Sequence, residues 1–561
     1  MEAPITPICK LLSGGAALAL AIGPAPASAR LRASPSDPAW AYVQARTAAM
    51  NGDHARAAEL LAALYEAMPG EKDFARKALG EAIDSGRFDL ALSLTRQIPP
   101  EGLASDARLL VVADELKRRR FDSASAWLVK SSDGSDLSFL RPLVAAWSAA
   151  DRGDLNTALA AIAAIPANSP IVGFKNEELA FLQLKFRRSA EAEAFARRAI
   201  GTGGIRETRL RLALASGFLS AGDKGRAAAM LDGIATEAFA ARDRLLAGKL
   251  ANQAVDTGAK ALSEVLTALA GDLVRSQRST PPLGLAQVAR YANPDNSSAA
   301  ILLALLLDLR GRPDAGLAVL DSVLATDPLI SQARDNQVRI LSDDNHYDRA
   351  LAIALAGAER PGAAAADFSR LGDVYSGSKR PAEAADAYGR AIAAAQALGD
   401  GSGLWTLYLL RASALKEAGR WPEARQALEQ GLIVSPDQPL LLNFLGYAKL
   451  ERGEDMDSAE AMIRKASELA PDDASITDSL GWAQYKRGKV DEAIATLQKA
   501  AEKDPEQAEI REHLGDALYT SGRRYEARYA WSAALLTAQD DAAGRLGAKI
   551  KSGLTAATAA P

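Results

Sequence analysis

From about residue 40 onward, apolar positions recur three and four apart, the spacing that puts them on one face of a helix. In 474–507, Ile476, Leu480 and Ala483 share the face of one helix, and Ile494, Leu497 and Ala501 share the face of a second. Between such blocks stand Gly and Pro at fixed offsets. A small residue recurs early in the second helix at Ala57, Ala91, Ala124, Ala158, Ala192 and Ala227, in steps of 33 to 35. A second series runs Gly316, Ala350, Ala384, Ala424, Ala459, Ala493 and Ala527, in steps of 34 or 35 apart from one of 40. Pro282 stands 34 before Gly316 and marks one degenerate unit more.

Five residues before the marker there is often a Gly, as at Gly52, Gly153, Gly311 and Gly488. Gly suits the position just past a helix end, where φ is positive. Twelve residues after the marker there is often a Pro, as at Pro69, Pro328, Pro471 and Pro505, which cannot continue a helix. Each unit therefore reads as helix, Gly turn, helix. Small residues at the marker, and Gly446, Gly481 and Gly515 in the helix before it, let two axes approach closely. A single hairpin cannot bury its apolar face alone, so neighbours must stack into a solenoid. The predicted fold is all-α, a right-handed α-solenoid of about fourteen hairpins.

Leu480-Gly481, Gly488, Ala493, Ala500 and Pro505 fit the pattern of the tetratricopeptide repeat, TPR. The resemblance spans roughly residues 40–541. Such repeats are generic protein-interaction scaffolds, so it implies fold more than function. A narrower resemblance lies in NFLGYAKLERG (443–453), in 463–493 and in EHLGDALYTSGRRYEARYAW (512–531). These are similar to the end of large bacterial envelope TPR proteins, among them an outer-membrane lipoprotein that binds and activates a carboxy-terminal processing protease. That family carries an N-terminal lipobox; this chain has none.

The start of the chain bears on location. Residues 11–22, LLSGGAALALAI, follow Lys10 and precede Pro24, Pro26 and Ala27-Ser28-Ala29, the layout of a secretory signal peptide cut after Ala29. The run is too short to span a bilayer. Cys9 lies before it rather than at the cleavage site, so no lipid anchor is expected. Cleavage removes the only Cys, which suits an oxidising, periplasmic or secreted location.

The expected organisation is a signal peptide at 1–29, an N-terminal array at 30–234 and an irregular helical joint at 235–280. A middle array at 281–398, a GDGSG connector at 399–403 and a C-terminal array at 404–541 follow, then a capping helix and frayed tail at 542–561. The joint is inferred because the marker step from Ala227 to Pro282 is 55 and the punctuation fails there.

Charge and composition then narrow the chemistry. With 66 basic and 70 acidic residues the formal charge is −4, which removes the electrostatic case for nucleic acid. One Cys and three widely separated His exclude a disulfide framework and make a metal site unexpected. No nucleophile elbow or zinc-protease motif is present, so neither a catalytic site, a cofactor nor a small-molecule substrate is expected. His513, near Glu512 and Asp516, is read as a packing or groove residue rather than half of an acid–base pair.

The inner face of a TPR solenoid is lined by the first helices. Numbering from each Leu-Gly pair places Asn443 and Tyr447, Asp478 and Trp482, and Glu512 and Asp516 on it, with Tyr485 and His513 beside them. These eight residues are the candidate partner-binding groove. Trp482 is the sharpest, because Trp is favoured at binding hot spots; the competing reading packs these aromatics between adjacent hairpins. The groove lacks the Lys/Arg-plus-Asn pattern of chaperone-tail clamps and the asparagine ladder of the glycosyltransferase superhelix. The expected function is a non-catalytic protein-binding scaffold or adaptor in the bacterial envelope. The narrower resemblance implies an envelope carboxy-terminal processing protease as partner. The alternative is a scaffold for pilus, secretion or exopolysaccharide assembly machinery.

Overall fold

A computed structural model describes residues 37–560, apart from 99–101, 131–133, 202–205, 235–237, 250–252, 277–281 and positions 361, 400 and 402. The expected signal peptide and Cys9 lie outside the described residues, as does part of the 399–403 connector. Among the described residues there are thirty α-helices, and the sole β pairing is the isolated bridge between Lys130 and Asp136. Twenty-eight of the helices pair as fourteen antiparallel hairpins; Phe239–Leu246 and Asp540–Ser552 stand outside that pairing. The chain is an all-α solenoid of TPR-like hairpins, as its spacing predicts.

The local reasons match the sequence signals. All twelve marker alanines, from Ala57 to Ala527, are fully buried. A Cβ on Gly481 would lie 2.6 Å from the Leu497 side chain, and one on Gly515 only 2.3 Å from Trp531. These glycines are therefore demanded by helix contact. At the turn, Gly52, Gly153, Gly311 and Gly488 all have φ between 70° and 83°. In four of the units with no Gly there, the backbone does the same: Arg119, Arg187, Asn345 and Lys379 sit at φ 59–61°. The hairpin geometry thus overrides the local preference of a residue with a Cβ. Four second helices begin with an aspartate cap, at Asp53, Asp154, Asp223 and Asp455; Asp53 and Asp223 accept from Arg56 N–H and Arg226 N–H at 3.0 Å.

Contacts divide the chain into two compact units, one ending at Ile98 and one beginning at Pro99. The first contains the hairpins Pro38–Met50 with His54–Ala67 and Lys72–Asp84 with Phe88–Thr95. The second contains the other twelve.

Where spacing predicts an irregular joint at 235–280, the second unit has a 19-residue helix, Gly258–Ser276. It packs on earlier first helices, Ser105–Lys117 and Arg141–Asp151, and on the following Leu283–Ala292 and Ser297–Leu309. Gly258 fits against Trp147, with room for a Cβ only 3.1 Å from that side chain. Lys185 donates to the Asp256 carbonyl at 2.9 Å, and Tyr291 Oη donates to Asp114 at 2.8 Å. Polar residues on this helix are buried and paired. Arg209 donates to Glu264 through Nε at 3.1 Å and Nη2 at 2.9 Å, and to Gln253 Oε1 at 2.5 Å. Asn296 Nδ2 donates to Ser263 Oγ at 3.0 Å. Beside this network, Trp147 Nε1 donates to Glu178 at 2.9 Å and Arg206 donates to Glu177 at 3.0 Å. Burial pushes the Glu178 carboxyl up to about 8, and the neighbouring Glu177 adds to the push.

Candidate functional site

Four consecutive hairpins bring their first helices together toward the C-terminal end: Leu404–Glu417, Pro439–Arg452, Ala474–Lys486 and Ala508–Thr520. Pro439 begins the second of these, and Asp473 caps the third by accepting from Ile476 N–H at 3.0 Å. Residues 35 apart, one repeat on, therefore face one another across neighbouring first helices. The eight candidate residues split into two groups along this surface.

Asn443, Tyr447 and Asp478 line an open depression of about 300 Å³. Its apolar wall is Leu409, Leu440 and Phe444, and its polar rim is Ser475, Gln507 and the exposed Glu509. Asn443 Oδ1 is buried with no hydrogen-bond partner among the described residues. Burial and the carboxylates of Glu509, Glu451 and Asp478 raise the Tyr447 phenol well above its ordinary range, so it stays a neutral donor. No basic side chain lines the depression. Its chemistry suits a partner segment that presents hydrogen-bond donors or positive charge together with an apolar side chain.

Of the other residues, Trp482, Glu512, His513 and Asp516 are buried and Tyr485 is half-exposed at their edge. His513 is fully buried, its Nδ1 2.9 and 3.0 Å from the two carboxylate oxygens of Asp478. Trp482 stacks on His513 with ring centres 4.0 Å apart and on Tyr485 at 4.8 Å. At 1% exposure, Trp482 is packing between hairpins rather than presenting an open face. Burial alone would lower the His513 pKa, but the Asp478 carboxylate outweighs it and the net direction is upward. This His–carboxylate pair is sealed from solvent.

Glu512 and Asp516 are closed over from the other side. Arg545 grips Glu512 with two bonds of 2.8 Å, and Lys549 reaches Glu512 at 2.6 Å and Asp516 at 2.8 Å. Trp531 Nε1 also donates to Asp516, at 2.9 Å. The same lysine leaves the two acids shifted in opposite directions. Burial raises Asp516 more than its donors lower it, whereas for Glu512 the Arg545 and Lys549 contacts outweigh burial and the pKa falls. Arg545 and Lys549 belong to Asp540–Ser552, which takes the place of the next first helix. They stand 33 residues after Glu512 and Asp516, so the repeat period continued past the last Pro would have pointed to them.

The expected frayed tail is also different. Residues beyond Ser552 turn back, and Ala560 is buried at 4% exposure in the apolar cluster of Trp482, Ala483 and Leu450. Among the described residues no group of three or more His, Cys, Asp or Glu is placed to hold a metal ion. No described helix is long and apolar enough to cross a membrane.

Comparison with known proteins bears on this region directly. Family models described as "Tetratricopeptide repeat" and "TPR repeat" match residues 409–474 and 481–522. A TPR repeat-containing protein of Pseudomonas aeruginosa is 30% identical over a stretch covering 16% of this chain and 20% of its own length. The match thus spans about a fifth of that relative. Among solved structures, the APC/C hetero-tetramer Cut9–Hcn1 aligns over 93% of this chain and 97% of its own, at 16% identity and a TM-score of 0.36. YrrB, a TPR protein with an unusual peptide-binding site, aligns over 31% of this chain and 87% of its own, at 19% identity and a TM-score of 0.25. The C-terminal hairpins carry tetratricopeptide repeats, a module that mediates protein–protein interaction.

Proposed function

We propose that this protein is a non-catalytic scaffold of the bacterial cell envelope that binds partner proteins on the first-helix face of its C-terminal hairpins. The observation that carries the reading is the open depression at Asn443, Tyr447 and Asp478, built from four consecutive repeats, apolar on one wall and acidic on the rim. Asn443 Oδ1 has no internal partner there and Glu509 is exposed, whereas Glu512 and Asp516 further along this face are paired internally. The narrower resemblance of 443–531 supports a carboxy-terminal processing protease as the partner, with the scaffold bringing it to its substrates. The layout of residues 1–29 supports delivery to the periplasm.

The test is affinity capture of tagged, crosslinked full-length chain from its own cells, with partners and the bait's N-terminus read by mass spectrometry. The expected result is a bait beginning at Arg30 that enriches an envelope protease. Glu509→Lys and Asn443→Ala should each reduce that enrichment about tenfold, the scale of one or two lost interface contacts. Trp482→Ala is unsuitable for this purpose, because removing a buried Trp costs ~3–5 kcal/mol of stability. Wild-type capture by Glu509→Lys would remove the depression from the binding surface. Secretion or polymer-export components in place of the protease would transfer the scaffold to assembly machinery. An uncut bait with cytoplasmic partners would overturn the location.

A further inference from the structure

The chain leaves the cap helix through Gly553, at φ +86°, where a Cβ would lie 2.2 Å from Tyr519 Oη. The exit direction is thus fixed twice, by backbone conformation and by contact. Leu554 packs against the cluster of Trp531 and Leu546. Thr555 and Thr558 close a turn, with Thr555 N–H donating to Thr558 Oγ1 at 2.9 Å and Thr558 N–H to the Thr555 carbonyl at 3.0 Å. The segment then reaches the first-helix face. Ala560 N–H donates to Asp516 Oδ2 at 3.0 Å, and its methyl group joins the Trp482 cluster. Beside it, Trp482 Nε1 and His513 Nε2 are buried with no hydrogen-bond partner among the described residues.

This grip is slight. Apart from Gly553 and Ala560 the segment is exposed or half-exposed, and one side-chain-accepted backbone bond holds its far end. A buried methyl and one such bond contribute only ~1–2 kcal/mol. Covalent attachment supplies the rest, since a short tether gives a millimolar effective concentration. Meanwhile the buried Trp482 Nε1–H beside the segment goes unused, and an unpaired buried polar group is costly.

We infer that residues 553–560 are an intramolecular occupant of a peptide slot floored by Trp482, Asp516 and His513. The slot takes an extended segment of small residues from a partner protein. Asp516 accepts one of its backbone N–H groups, and Trp482 Nε1–H donates to one of its carbonyl oxygens. The partner segment displaces the tail by making the second bond as well as the first. The inference rests on the reading of the first-helix face as the partner-binding surface, and extends it past the open depression.

The probe is the synthetic peptide Gly-Leu-Thr-Ala-Ala-Thr-Ala-Ala at millimolar concentration, followed by saturation-transfer NMR. It is added to the full chain, to the Ala560→Asp chain and to the chain lacking 553–561. Ala560→Asp would place a carboxylate beside Asp516 and expel the tail. Saturation of the peptide methyls should be at least fivefold greater with the two tail-expelled chains, with helix content unchanged by circular dichroism. In the full chain, hydrogen exchange over 553–560 should be slower than in Ala560→Asp. Equal saturation with all three chains, or tail exchange in the full chain at the rate of Ala560→Asp, overturns the inference. Partner capture run in parallel separates the two readings. Capture without selective peptide saturation removes the slot and leaves the scaffold; selective saturation with no capture by any chain removes the scaffold and leaves the slot.

Discussion

The first-helix face of the hairpins from Ser105 to Ser220 is covered by Gly258–Ser276, and that of the last hairpins by Asp540–Ser552 and residues 553–560. Both covers are segments of the protein's own chain. The first is 19 residues long, and eleven of its residues between Gly258 and Ala270 are buried. It is locked by the Arg209–Glu264 pair, with side chains only 5% and 6% exposed. In the second, the cap helix is locked equally well by Lys549 on Asp516, both fully buried, while the tail beyond it ends on one hydrogen bond. A repeat array offers the same kind of surface all along its length. Whether a stretch of it is core or binding site depends on how much the covering segment buries and whether its charges are paired.

The sharpest way to break this contrast is Glu264→Ala. It leaves Arg209 buried without its carboxylate and should cost ~3–5 kcal/mol. Hydrogen exchange over 207–309 should rise by more than a hundredfold. An effect no larger than that of Ala560→Asp on 553–560 would mean the two covers are held alike.

A second measurement uses pH. With Glu178 pushed up to about 8, the folded state holds a proton that the unfolded chain, titrating near 4.5, has released. Stability should therefore fall as pH rises from about 4.5 to about 8, by at most ~1.4 kcal/mol per unit, and level off above. Glu178→Gln keeps an acceptor for Trp147 and should flatten that slope. An unchanged slope in urea titrations would place the proton elsewhere.

The smallest effect is expected in a hairpin outside both stretches. Lys379 holds φ 61° at the turn position where other units have Gly. Lys379→Gly should stabilise by about 1 kcal/mol, because left-handed backbone costs a residue with a Cβ about that much. A melting temperature that falls would show that the turn carries no strain.

Much of the fold was legible because a hairpin repeat imposes local demands that recur. The marker alanines read from spacing alone are the fully buried ones, and the Gly offset before them coincides with positive φ. The stretch 235–280 was less legible. Its helix Gly258–Ser276 carries Ser263, Glu264 and Thr267 on a buried face, so no clean apolar stripe advertises it. The candidate groove was legible as a surface, since Asn443, Tyr447 and Asp478 do share a depression. What that numbering missed was that Trp482, Glu512, His513 and Asp516, placed by the same rule, would be closed over. That depends on Lys549, Arg545 and Ala560, which lie past the last punctuating Pro.

The sequence by itself determined the helices, their pairing and the close contacts between them, because period, Gly and Ala act within one repeat or between neighbours. Only the tertiary structure decided which first-helix residues are core and which face solvent. That choice is made by Gly258–Ser276, which reaches back onto Ser105–Lys117 and Arg141–Asp151, and by Asp540–Ser552 with residues 553–560, which close the last hairpins. Such covering contacts lie outside the pattern that each repeat shares with its neighbours, so no single repeat records them.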